Sequence, residues 1–117
     1  MSREAVIQQN IRLALGMRDD IFMFRINVGV FRPLHGDQNR AIRSAPDGTP
    51  DLLGVMAPGK AFAIEVKAGR GQQRDAQKNW QKAWEKRGGI YILARSVDDV
   101  YKGLDISPDA DAYNEQR

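Results

Sequence analysis

The sequence predicts an α/β domain with a mixed β-sheet flanked by helices, and three observations carry that expectation. Apolar residues recur at helical spacing in two windows, 3–17 and 73–87. Short runs rich in β-branched and aromatic residues lie at 21–28, 51–56, 61–67 and 90–94. The second helical window joins two of those runs, so it can serve as a crossover on one face of a sheet.

In chain order, residues 3–17 place Ile7, Ile11, Ala14 and Leu15 on one helical stripe, and Gly16 lies close to its end. In residues 21–28 (IFMFRINV), Phe22, Phe24 and Ile26 share one strand face and Met23, Arg25 and Asn27 the other. Residues 29–50 read as a long irregular segment, punctuated by Gly29, Pro33, Gly36, Pro46, Gly48 and Pro50. A connection of that length in a small domain is usually functional or disordered. Residues 51–56 (DLLGVM) and 61–67 (AFAIEVK) read as strands joined by Ala57-Pro58-Gly59-Lys60, a turn short enough to make them an antiparallel hairpin. In residues 73–87, Ala76, Trp80, Ala83, Trp84 and Arg87 share a stripe, and Gly88-Gly89 stops the helix. Residues 90–94 (IYILA) form a further strand, and Ser96 with Asp99 marks the capped start of a short helix over 97–103. The folded domain is expected over 1–104, with an acidic polar tail over 105–117.

The 117 residues suffice for one domain with one modest core. No apolar run approaches the roughly 18 residues of a membrane span, and no signal-peptide pattern follows Met1. No membrane partner is therefore expected. The chain has no cysteine, which excludes disulfide scaffolds, thiolate zinc sites and cysteine nucleophiles, and fits a cytoplasmic protein. Charge is divided unevenly. Residues 1–97 carry 16 basic and 9 acidic side chains, whereas residues 98–117 carry 2 and 6. A basic body suits a polyanionic partner, although a solvated mixed-charge surface fits the same count. No phosphate-loop motif of the Walker type is present, so an NTP-driven motor is not supported.

The chemistry concentrates in the hairpin. Glu65 and Lys67 are two apart on a strand and point to the same side. Asp51 opens the preceding strand, and simple antiparallel register puts it about opposite Glu65 or Val66. Two carboxylates and a lysine thus converge at one end of the sheet. Convergent carboxylates repel one another, and a divalent cation relieves that repulsion. An all-oxygen donor set favours Mg²⁺ or Mn²⁺. Such a metal can bind a phosphate oxygen and acidify a water for in-line attack. An isolated Glu-x-Lys would fit a surface ion pair equally well.

Other residues read two ways. Arg25 and Asn27 could brace a strand end or touch phosphate. Arg32, Arg40 and Arg43 in the long segment, and Arg70, Arg74 and Lys78 around the start of the second helix, could be solvated or could follow a nucleic-acid backbone. His35 is the only histidine and reads as an ordinary loop residue. Trp80 and Trp84 could stack bases, but their helical spacing suits packing in the core or a dimer interface.

Pro50-Asp51, thirteen residues, then Glu65-Val66-Lys67 resembles the PD-(D/E)xK nuclease signature. Gly48-Thr49-Pro50-Asp51-Leu52-Leu53, Gln77 with Trp80, and Gly88-Gly89 before a strand are similar to the virus-type replication-repair nuclease (VRR-NUC) family. Upstream, Glu4 with Gln8 and the Arg25-x-Asn27-x-Gly29 stretch match that family's first helix and strand. The resemblance covers roughly residues 3–95. It implies a restriction-endonuclease-like fold and metal-dependent cleavage of DNA. Asp51, Glu65 and the Val66 carbonyl would hold Mg²⁺ or Mn²⁺, with Glu4 contributing directly or through water. Lys67 would be the catalytic lysine, and Gln77 would support the site.

Small stand-alone members of the family look like phage or bacterial proteins, which places the expected activity in a bacterial or phage-infected cytoplasm. They resemble Holliday-junction resolvases, homodimers that make paired cuts. The expectation is therefore a structure-selective DNA endonuclease acting on branched DNA such as a four-way junction. The alternatives are a nicking or flap endonuclease and a catalytically idle DNA-binding module.

Overall fold

The computed structural model of the chain describes residues 1–26, 30–31, 33–37 and 39–108. Helix α1 (Arg3–Leu15) starts at Ser2, whose side chain accepts the Ala5 N–H at 3.0 Å. That bond satisfies one of the free donors of the first turn. Ile11 and Leu15 are fully buried along the helix. Strand β1 (Ile21–Arg25) follows. The segment after it is not wholly irregular: β2 (Val30–Phe31) and β3 (Ile42–Arg43) pair antiparallel as a separate two-stranded sheet. Runs of two residues are too short to show alternation, which is why periodicity alone does not reveal them.

Strands β4 (Leu52–Met56) and β5 (Lys60–Val66) form the expected antiparallel hairpin. Its turn closes with Gly59 N–H donating to the Met56 carbonyl at 2.9 Å. Helix α2 (Asp75–Lys86) then crosses to β6 (Ile90–Ala94), which runs parallel to β5. Helix α3 (Val97–Leu104) is capped by Ser96, whose hydroxyl accepts the Asp99 N–H at 3.3 Å. Asp99 in turn accepts the Arg95 N–H at 2.8 Å. The four-stranded sheet has the order β1-β4-β5-β6 and is mixed, as the α/β reading requires.

The two sheet faces differ in chemistry. Phe62, Ile64 and Val66 of β5 join Leu52, Ile92 and Ala94 in a core covered by Ile11 and Leu15 of α1 and by Val100 and Leu104 of α3. The alternate residues of β5, including Glu65, belong to the opposite face, where α2 packs. There Trp84 donates its indole N–H to the Ile90 carbonyl at 2.9 Å. Trp80 stacks on Trp84 with ring centroids 4.8 Å apart and leans on Tyr91 at 6.1 Å. The tryptophans therefore serve packing, as their spacing suggests. No helix among the described residues is long and apolar enough to cross a membrane.

Gly54 lies where β4 crosses the Phe62 ring. A Cβ there would sit 2.5 Å from the Phe22 carbonyl oxygen and 2.5 Å from the Phe62 ring edge. Both obstacles belong to the packed sheet and neither can swing away. Gly54→Ala is therefore expected to lower unfolding free energy by about 1–3 kcal/mol. Urea denaturation should show the midpoint falling with the slope unchanged.

Candidate active site

The register of the β4–β5 hairpin builds the site. Leu52 pairs with Ile64, so one step further places Asp51 opposite Glu65. Asp51 is anchored there by its own carbonyl, which accepts the Ile26 N–H at 2.6 Å. Lys67 extends the pairing of β5 with β6 by donating its N–H to the Ala94 carbonyl at 3.0 Å. The ends of three adjacent strands thus hold Asp51, Glu65, Val66 and Lys67 together.

The preceding loop is held against α2. Thr49 donates both its N–H and its hydroxyl to the Pro46 carbonyl, at 3.1 and 2.6 Å. Gly48 has φ +87°, and a Cβ there would lie 2.2 Å from the Ala76 carbonyl oxygen. Only glycine lets this loop rest on the first turns of the helix and deliver Pro50 and Asp51 to the strand.

Glu65 is 6 % exposed and Gln77 is 6 % exposed, and among the described residues they are the buried polar side chains. Gln77 Nε2 donates to Glu65 Oε1 at 2.8 Å, while Gln77 Oε1 accepts the Arg74 N–H at 2.8 Å. The carboxamide is thereby oriented by the helix N-terminus, with its donor aimed at the carboxylate. Lys67 Nζ stands 3.8 Å from the same Glu65 oxygen. From the other side, Gln8 of α1 donates to Asp51 Oδ2 at 3.3 Å. Glu4 lies one turn earlier on α1, exposed to solvent but close enough for its charge to act on Glu65.

Burial pushes the Glu65 carboxyl up to about 7. Lys67 and Arg74 oppose the rise, and the negative charges of Asp51 and Glu4 add to it. Removing water from a carboxylate disfavours its charged form, and like charges nearby do the same. Among the described residues no three His, Cys, Asp or Glu side chains gather closely enough to hold a metal by themselves. A cation held by Asp51 and Glu65 would therefore take its remaining ligands from backbone carbonyls or water. That composition suits a hard cation that keeps several of its waters.

The remaining candidates are spread more widely. Arg74 caps α2 and lies 3.9 Å from Asp47, and its charge also reaches Glu65. Arg70 sits in the exposed turn after β5, and Lys78 is exposed on α2. Arg25 is exposed at the end of β1, Arg40 is exposed beyond β2, and Arg43 belongs to β3. Asn27 and Arg32 lie outside the described residues. His35 is an exposed loop residue.

Two arrangements escape sequence reasoning. Arg95 donates to the Gly69 and Gly71 carbonyls, each at 2.8 Å, and pins the turn that carries Arg70. Gln73 Nε2 donates to Gln81 and to the Tyr91 hydroxyl, at 2.9 and 3.0 Å, beside the buried face of α2. Neither involves a recognisable spacing, because the partners come from different elements.

The raised Glu65 carboxyl has a thermodynamic consequence with a definite sign. The folded chain binds this proton more tightly than the unfolded chain, whose carboxyl keeps the ordinary 4.5. Stability therefore falls as pH rises from about 4.5 to about 7, and the full cost of the buried charge is present above that range. Glu65→Gln removes the charge and can still accept the Gln77 hydrogen bond. In chelator, the variant is expected to melt roughly 5 °C or more above the parent at pH 8. The advantage should vanish near pH 4; equal melting temperatures at pH 8 would contradict the assignment.

No curated protein matches the chain. Among solved structures, a chain described as a VRR-NUC domain shares its fold with a TM-score of 0.59 at 20 % identity, covering 90 % of this chain and 97 % of its own. The family model described as the VRR-NUC domain matches residues 17–98, well over half of the sequence, including Asp51, Glu65, Lys67 and Gln77. With that span and the mixed sheet it folds into, the chain belongs to the VRR-NUC family, nucleases of the PD-(D/E)xK type.

Proposed function

We propose that this chain is a metal-dependent, structure-selective DNA endonuclease, and specifically a homodimeric Holliday-junction resolvase. The observation that carries the nuclease reading is the meeting of Asp51, Glu65 and Lys67 at one sheet end, with Gln77 and Gln8 each holding one carboxylate. Nothing in DNA binding alone calls for two carboxylates facing a polyanion, because they repel phosphate unless a cation stands between.

Asp51, Glu65 and the Val66 carbonyl would hold Mg²⁺ or Mn²⁺, with Glu4 reaching it through water. When bound, the metal supplies charge neutralisation at the scissile phosphate and a more acidic water. This chain's residues do the rest. Gln77 keeps Glu65 in place, so its carboxylate does not have to reorganise when phosphate enters. Lys67, 3.8 Å from Glu65, orients the attacking water and stabilises the negative charge that grows on the phosphate oxygens. The attacking water gives up a proton to bulk water as its oxygen adds to phosphorus, the P–O bond opposite breaks, and the leaving oxygen takes a proton from bulk water. Arg70, Arg74 and Lys78, with Arg25, Arg40 and Arg43, would supply positive charge to the nucleic-acid strand approaching the site.

The resolvase reading is supported by the family resemblance to junction-cutting dimers. A two-fold dimer presents two equivalent sites, as symmetric cleavage of a four-way junction requires. The second reading is a nicking or flap endonuclease on branched DNA.

Purified protein with Mg²⁺ or Mn²⁺ and labelled junction, flap and linear duplex should give paired symmetric cuts in the junction alone. Chelator should abolish them. Lys67→Ala should lower the cleavage rate by about 10²–10³-fold with DNA binding retained. Cleavage confined to flaps, or nicks in duplex, would keep the nuclease and discard the resolvase. Binding without any metal-dependent cleavage would leave a catalytically idle DNA-binding module.

A further inference from the structure

We propose that the free edge of β1 is the surface on which a second copy of this chain pairs, antiparallel about a two-fold axis at Met23, joining the two sheets into one. The inference deepens the homodimer reading above and rests on it.

Strand β1 is at the end of the sheet and, among the described residues, pairs only with β4. The Ala57 N–H donates to Asp20 and the Ile26 N–H to Asp51, so the even-numbered residues direct their backbone groups at β4. The N–H and carbonyl groups of Ile21, Met23 and Arg25 therefore point outward, and no described residue gives them a backbone partner. A row of unpaired groups on an edge is a template for another strand, and edges are ordinarily protected by charge, proline or a bulge. This edge carries none of those at its centre. It carries instead Phe22, 72 % exposed, and Phe24, 46 % exposed, with their rings edge-to-face at 6.1 Å. On the other side, Leu13 of α1 is 70 % exposed and lines a cavity of about 400 Å³ with Met23 and Phe24.

The strand is complementary to itself. Centring the pairing on Met23 keeps all three outward residues hydrogen-bonded: Met23 to Met23, and Ile21 to Arg25 of the second copy. It also sets Phe22 against Phe24 of the second copy in the narrow pairs, where cross-strand side chains approach most closely. Charge agrees with this register. Asp19 precedes the strand and Arg25 ends it, so Arg25 falls diagonally across from Asp19 of the second copy, once at each end. The area is sufficient. A whole aromatic side chain presents roughly 150–250 Å², so Phe22 and Phe24 leave on the order of 200 Å² to cover. With Leu13 and the strand backbone, the two copies together would bury roughly 1,000 Å², the lower bound of a specific interface.

Sedimentation of the full chain without DNA, over a wide concentration range, tests this. The parent should sediment as a dimer. The double variant Phe22→Ser/Phe24→Ser should sediment as a monomer while keeping its circular dichroism and cooperative melting. Arg25→Asp should weaken the dimer Kd by about tenfold, and Asp19→Arg in the same chain should restore it. A double variant that remains dimeric, or a charge exchange that restores nothing, would overturn this surface and leave the homodimer intact. A parent that is monomeric throughout would overturn the homodimer reading and this inference together, while metal-dependent cleavage by that monomer would still identify the nuclease.

Discussion

A one-residue slip of β5 against β4 would exchange the two faces of the strand. Phe62, Ile64 and Val66 would leave the core beneath α1 and α3, and Glu65 would enter it. Leu52 opposite Ile64 is therefore more than one pair in a ladder. The same alternation that seals the core sets Asp51 opposite Glu65 and sends Lys67 to the side of Glu65. Fold and candidate site rest on one register, and the apolar face enforces it for both. Gly54 contributes to that enforcement, since the Phe62 ring occupies the space a side chain would need.

The site works against the stability of the domain that carries it. Glu65 is a carboxylate at 6 % exposure at the end of an apolar strand, and each of its partners supplies only part of what water would. Gln77 gives one neutral hydrogen bond at 2.8 Å, and Lys67 stands at 3.8 Å, too far for a tight ion pair. Asp51 and Glu4 add repulsion. The imbalance is of the kind a cation would correct, and destabilised charge of this sort is commonly concentrated where chemistry happens. Gln77 is the link between scaffold and site. Its oxygen is satisfied by the start of α2 and its nitrogen by Glu65, so the placement of the helix decides the placement of the carboxylate.

The two edges of the sheet are treated differently. β6 is flanked by α3 and by the tryptophans of α2, and Arg95 just beyond it ties down the Gly69–Gly71 turn. β1 has helix α1 on one face only and leaves two phenylalanines on the other. An aromatic edge of this kind is unfavourable for an isolated monomer. It also lies next to the site, since Ile26, one residue past β1, holds the Asp51 backbone. Assembly through this edge would brace the loop end of the site as well as cover apolar surface.

Local pattern made the sequence by itself sufficient for the order of the longer elements, the hairpin, the crossover helix and the capped α3. Each depends on periodicity, a turn or a cap that neighbouring residues carry. The same holds for the grouping of Asp51, Glu65 and Lys67, because a two-residue strand period and a short turn convert spacing directly into proximity. Tertiary structure alone decided the rest. Gln77 reaches Glu65, and Gln8 reaches Asp51, only once two helices dock on opposite sides of the sheet. Arg95 clamps a turn 24–26 residues earlier in the chain. The pairing of β2 with β3 involves two residues each, below the length at which alternation is visible. The exposure of Phe22 and Phe24 was not legible either. Their alternation set them on one strand face, but only the packing of the sheet, with β1 at its edge, decided that this face stays uncovered. Pattern within a segment is written in local residue chemistry, whereas contact between segments depends on how whole faces pack.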